Sequence, residues 1–302
     1  MSFDFYDFSK YRAQLMGIAM LLIMLFHVGA LSYGYVGVEF FLLLSAIGLY
    51  FSLSKNDQLG PFYKKRLVRI LPTYLIVAIP YFIYVRRDNF DMGEFFMNLT
   101  GVGILQHENS YWFIIHIIIC YLLSPFYFKV LKYKYSFIIP FVAAAFCYWL
   151  GTHIPELEIM LNRFAIFLLG FHVAKLVFNR TQIRHPMLLP VCLVAILLIP
   201  VVQELPMNGG LKMVAFFFLT LPSLMLLIKI LKLCPAAVNK SLVFIGGITL
   251  EIYMFHEHFC FALLEKPFGH LTGAILSFPI SILVSYLFSK MIQRLSSRLL
   301  SA

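Results

Sequence analysis

The 302-residue chain is 61% hydrophobic, 17% aromatic and only 13% charged, with a mean hydropathy of +0.87. A soluble globule runs at roughly 45–50% apolar and about 25% charged residues, so a water-exposed fold is excluded; at about 20 apolar residues per crossing, membrane helices fill the chain and leave no room for a second domain. The five cysteines have no CxxC spacing and sit in or beside apolar runs, which argues against a disulfide framework or zinc site, and no metal is expected.

The first apolar run, after MSFDFYDFSKYR, is too long for a secretory h-region and is expected to stay as a membrane helix. Ten spans are predicted in an all-α polytopic domain covering residues 1–302. They run from Ala13 to Tyr33, Val36 to Ser54, Leu71 to Val85, Tyr111 to Val130 and Tyr135 to Gly151. The second five run from Ile159 to Phe178, Met187 to Val202, Leu211 to Leu231, Leu242 to Leu264 and Leu271 to Leu295. Between the third and fourth, DMGEFFMNLTGVGIL has the makings of a short helix lying at the interface.

The net charge of +10 raises the question of a nucleic-acid partner. With ten spans, however, 19 of the 24 Lys and Arg fall on one side. Only Arg86, Arg87, Lys212 and Lys266 fall on the other, and Arg163 lies inside a span. The positive-inside rule then places both termini in the cytoplasm, and the basic excess reads as a topology signal facing membrane lipids.

Ionisable side chains at membrane depth cost on the order of 2.5–3.5 kcal/mol each at a helix centre, so each needs a partner, a cavity or a use. His27 near the outer end of the first span, Glu39, His116, Arg163 and the acids and histidines of the ninth span fall at similar depth and suggest one polar cavity. Glu251 lies near the middle of the ninth span, with His256, Glu257 and His258 further out. His256 and His258, two residues apart, point to nearly opposite sides of a regular helix, so one of the two is expected to face inward. A neutral imidazole near a carboxylate can act as a general base, and Glu39, on the next helix after a short hairpin, is expected to orient His27.

The first cytoplasmic loop, LGPFYKKRLVRILPTY, gathers Lys64, Lys65, Arg66 and Arg69 before Pro72. If helical, these line one flank and suit a diphosphate; juxtamembrane cations equally serve anionic lipid headgroups.

Several segments, in order, resemble acyltransferase family 3, the integral membrane proteins of bacteria that O-acylate surface glycans and related acceptors. They are AMLLIMLFH ending at His27, GVEFFLLLSAIGLY, FYKKRLVRILPTY, the pair Tyr111 and Trp112, RFAIFLLGFHVAK and GITLEIYMFH. The resemblance implies ten helices in the bacterial cytoplasmic membrane, an essential first-helix histidine (His27) and an Arg-x-x-Arg motif (Arg66, Arg69) serving an acyl-CoA donor. It also implies a Tyr-x-x-His pair (Tyr253, His256), which favours His256 as the inward residue. The chain departs from the family at Met16, where many members carry an arginine and Arg12 is the nearest substitute, and at Glu39 and Ala46, which stand for Asp and Gly. The expected activity is acetyl-CoA-dependent O-acetyl transfer to a glycan or lipid-linked glycan, with His116, Arg163, Glu251, Tyr253 and His256 lining the acceptor cavity. The alternatives are a proton-coupled secondary transporter and an inactive scaffold; in-span prolines that do not pair into two similar halves weaken the transporter reading.

Overall fold

A computed structural model describes residues 2–85, 87–88, 90–106 and 111–301; Arg86, one of the four cations assigned to the outer side, lies outside them. A short strand β1 (Ser2–Asp4) and helix α1 (Asp7–Lys10) precede α2 (Arg12–His27), α3 (Gly37–Lys55), α4 (Leu59–Val85), α5 (Met92–Thr100), α6 (Trp112–Val130), α7 (Ile139–His153) and α8 (Glu158–Phe178). Strand β2 (Gln182–Arg184) then leads to α9 (Leu188–Glu204), α10 (Gly209–Leu233), α11 (Ala236–Gly247), α12 (Thr249–Phe255), a π-helical turn (His256–Phe261), α13 (Ala262–Phe268) and α14 (His270–Ser301).

Among the described residues, seven helices are long and apolar enough to cross a membrane, or eight if α11 and the α12–α13 segment, bent by 67°, form one broken span. The other two predicted spans correspond to the shorter apolar helices α2 and α9; at 16 residues, α2 is about 24 Å long. The third span is longer than expected. The chain is extended at Asn56 and enters α4 at Leu59, so the basic motif sits on the first turns of a 27-residue helix with Pro72 and Pro80 inside it. In the segment expected to lie at the interface, α5 is capped by Asp91, whose carboxylate accepts the Glu94 amide, and is closed by Gly101 at φ +80°.

Helix α3 is the most buried span and packs against α2, α6, α8 and α10. Small residues make the closest approaches, as expected where lipid supplies no hydrophobic drive between helices. A Cβ on Gly170 of α8 would strike the Leu43 carbonyl and Ala46 of α3. On the other side of α2, Gly17 lies against the Leu242 carbonyl and Gly246 of α11 against that of Ala13. On α14, Ser277, Ser281, Ser285 and Ser289 are buried at four-residue spacing on the helix that packs against α12 and the π turn. Residues such as Leu197, Ile275 and Leu287 are more than 60% exposed, apolar surface suited to lipid.

At the chain start, β1 pairs antiparallel with β2, Phe3 opposite Ile183, while Phe3, Phe5 and Phe8 cluster edge to face and stacked. Lys229 donates to the Ser2 carbonyl and Lys232 pairs with Asp7, tying this end to α10.

The α2–α11 contact is the one that positions the site, because α11 leads directly into the broken helix carrying Glu251 to His258. Gly246→Ala is expected to lower the unfolding temperature of the detergent-solubilised protein, overpacking costing about 1–3 kcal/mol. Gly247→Ala, where a Cβ would meet nothing within 4 Å, should leave it unchanged.

Candidate active site

His27 is the last residue of α2 and lines a cavity of about 660 Å³ with Tyr35, Trp112, Arg163, Lys212, Tyr253, Glu257 and His258. Its ring has a neighbouring group at each nitrogen. His256 Nδ1 lies 3.0 Å from the carbonyls of both Ile252 and Tyr253, which are acceptors only, so that nitrogen carries the hydrogen. His256 Nε2 is therefore a lone pair, and it sits 3.0 Å from His27 Nδ1. His27 Nδ1 also lies 2.9 Å from the Ile23 carbonyl, so it is the donor. By elimination the basic nitrogen of neutral His27 is Nε2, and Glu257 Oε2 stands 3.3 Å from it. Glu257 Oε2 is also 3.9 Å from His258 Nε2, and the His258 ring stacks on Tyr81 at 4.6 Å between centroids.

Glu39 does not take the place expected beside His27. In the first turn of α3 it faces α8, where its Oε1 is 3.0 Å from Arg163 Nε, both side chains being 2% exposed. Placing the two helices at similar depth did not fix which way the side chain turns. Arg163 also donates to the Ile159 carbonyl at 3.0 Å and stacks its guanidinium over Trp112 and Tyr35. His116, expected at the cavity wall, is buried below Trp112 with Nε2 3.7 Å from Cys120 Sγ, because its position on α6 turns it into the bundle. His256 backs His27 instead of lining the cavity, whereas His258 lines it. Regular helical geometry cannot bring both histidines of one segment to this centre together with Glu257; the π turn, a common device at functional sites, does.

Glu251 is fully buried, away from the cavity, and binds Arg69 through both oxygens at 2.6 and 3.1 Å. Arg69 borders a small apolar pocket of about 110 Å³ lined by Met20, Phe41, Phe113, Ile117 and Tyr121. Ile23 and Tyr253 line both this pocket and the His27 cavity. Arg66, one turn earlier, borders a separate cavity of about 440 Å³ with Lys65, Arg12 and Lys55. Its guanidinium lies over Phe62, and its Nε is buried without a partner. Arg12 fits there because Gly48 has no Cβ to strike its guanidinium. Lys64 is exposed and does not border that cavity.

Sequence reasoning missed Lys55, Lys212 and Tyr35 as site residues; it placed Glu257 at cavity depth without giving it a role and named Arg12 only as the nearest substitute for the family's arginine. Glu257 had a signal in the charged HEH run inside an apolar helix, and Arg12 one in its nearness to Met16. Lys212 and Tyr35 come from segments whose convergence sequence does not encode locally.

A helical bundle with membrane-length apolar spans, closed around a cavity lined by His27, has the build of a multi-pass membrane protein. Over residues 15–291, nearly its whole length, the chain matches the model of acyltransferase family 3, an acyltransferase domain, and it belongs to that family. No curated protein and no solved structure matches it.

The buried Glu39–Arg163 pair yields a stability prediction. Glu39→Gln strands the guanidinium and is expected to cost about 3–5 kcal/mol, whereas Glu39→Gln with Arg163→Met should recover most of that loss. Unfolding temperatures of the purified variants in detergent check it.

Proposed function

We propose that this chain is an acyl-CoA-dependent O-acyltransferase, most specifically an O-acetyltransferase, of the bacterial cytoplasmic membrane. In this reading it moves the acyl group from cytoplasmic acyl-CoA to a hydroxyl of a surface glycan or its lipid-linked precursor. The observation that carries the reading is the position of His27. His27 lines the large cavity, and that cavity shares Ile23 and Tyr253 with the small pocket beside Arg69. Family membership favours this over the transporter and scaffold alternatives.

The donor's phosphates are assigned to the cationic cavity bordered by Arg12, Lys55, Lys65 and Arg66. None of the described residues lining it is acidic, and an unpartnered buried guanidinium nitrogen there seeks an anion. Arg69, neutralised by Glu251, instead marks the entrance for the uncharged pantetheine arm. An extended arm of on the order of 15–20 Å, against a hydrocarbon core of about 30 Å, brings the thioester to mid-membrane, where it meets the Ile23–Tyr253 wall. On the far side, Tyr35, Trp112 and Tyr111 give the acceptor sugar aromatic faces. Lys212, which donates to the Gln203 carbonyl at 2.5 Å, and Gln203 offer polar contacts. His27 Nε2 then takes the hydroxyl proton, or carries the acyl group in passing.

The test supplies radiolabelled acetyl-CoA to inverted membrane vesicles from producing cells and follows label in the glycan fraction. His27→Ala is expected to reduce incorporation by about 10²–10⁴-fold at equal protein level; retained incorporation sinks the reading. In the same assay Arg66→Ala and Arg12→Ala should raise the KM for acetyl-CoA about tenfold or more with little change in maximal rate, while Lys64→Ala stays near wild type.

A further inference from the structure

We propose that Glu257 is the charge partner of His27, a positioning residue that stabilises the imidazolium formed during acyl transfer. The inference rests on the acyl-transfer reading and adds a residue to it.

Two adjacent residues of the π turn face opposite nitrogens of one ring: His256 accepts from Nδ1, and Glu257 stands 3.3 Å from Nε2. With the hydrogen of neutral His27 on Nδ1, an ionised Glu257 presents lone pairs to a lone pair. That arrangement becomes attractive once Nε2 gains a proton, which is the event a general base undergoes. Glu39 cannot serve, because Arg163 takes its charge, nor can Glu251, which is committed to Arg69. Among the described residues lining the cavity, Glu257 is the acidic one. Its side chain is 42% exposed, so it reaches His27 from the cavity side, where the acceptor would sit. Other titratable groups around it include His256, His258, Tyr81, Tyr111 and Tyr253, and Arg163 and Lys212 line the same cavity.

The proton balance is simple. As the acceptor oxygen bonds to the thioester carbonyl carbon, its proton passes to His27 Nε2, and the imidazolium forms beside the Glu257 carboxylate. When the tetrahedral intermediate collapses, the carbon–sulfur bond breaks and the proton leaves Nε2 for the thiolate. Glu257 exchanges no proton in the net reaction; it lowers the cost of the intermediate charge.

The vesicle assay with radiolabelled acetyl-CoA tests this on the full-length protein, with rates normalised to the folded amount seen by size-exclusion chromatography. Glu257→Gln keeps the shape and removes the charge. It is expected to lower the maximal rate on the order of a hundredfold with the KM for acetyl-CoA unchanged, and Glu257→Asp to restore a substantial part. A Glu257→Gln rate within twofold of wild type overturns the inference, as does an equal loss in the Gln and Asp variants, which marks a role of shape. If His27→Ala abolishes transfer while Glu257→Gln does not alter it, the charge partnership fails and the acyl-transfer reading stands. If His27→Ala retains transfer, both fail.

Discussion

A polar side chain inside hydrocarbon must find its partner inside the bundle, and in this protein the partners come from different helices. Glu39 of α3 meets Arg163 of α8, Arg69 of α4 meets Glu251 of α12, and His27 of α2 meets His256 and Glu257 of the π turn. Such pairs return little net stability, since desolvation offsets much of the attraction. Breaking one is expensive, however, because it leaves a charge in a medium that cannot solvate it. They therefore act as constraints of register, fixing how the helices may slide and turn against one another.

Glycine contacts supply the complementary constraint. The backbone approach at Gly17 and Gly246 holds α2 along α11, and the 67° bend after α11 carries the next segment across the end of α2. His27, as the last residue of α2, is then met by a helix that has just changed direction. Glycine against carbonyl sets the distance, the bend sets the crossing, and the π turn sets which side chains arrive.

Sequence can group residues by expected depth but says little about azimuth, for a physical reason. Apolar run length and the lysine and arginine bias report where a residue sits along the membrane normal, and this grouped His27, Glu39, His116 and Arg163 at one level. Direction around the helix axis depends on which neighbour each helix packs against, which a nearly all-round apolar segment such as GVEFFLLLSAIGLY does not encode. Hence Glu39 and His116 were assigned to the wrong side. The π turn was illegible because one extra residue in a turn leaves no mark in composition. The third span was misjudged at Pro72, read as a helix start although α4 carries that proline within it.

The two arginines of the Arg-x-x-Arg motif illustrate how burial divides labour between residues one turn apart. Arg69 has a carboxylate bound through both oxygens, so it contributes almost no uncompensated field to the small pocket beside it. Arg66 shares its cavity with Arg12, Lys55 and Lys65, like charges that become favourable together only when an anion joins them. A phosphate entering the 110 Å³ apolar pocket would lose its hydration with nothing to replace it, whereas at the Arg66 cavity it gains several charge-assisted donors. The geometry thus favours an anion at the Arg66 cavity over the small pocket beside Arg69. Ile23 and Tyr253, which line both the small pocket and the His27 cavity, sit on α2 beside His27 and on α12 just before the π turn that carries His256.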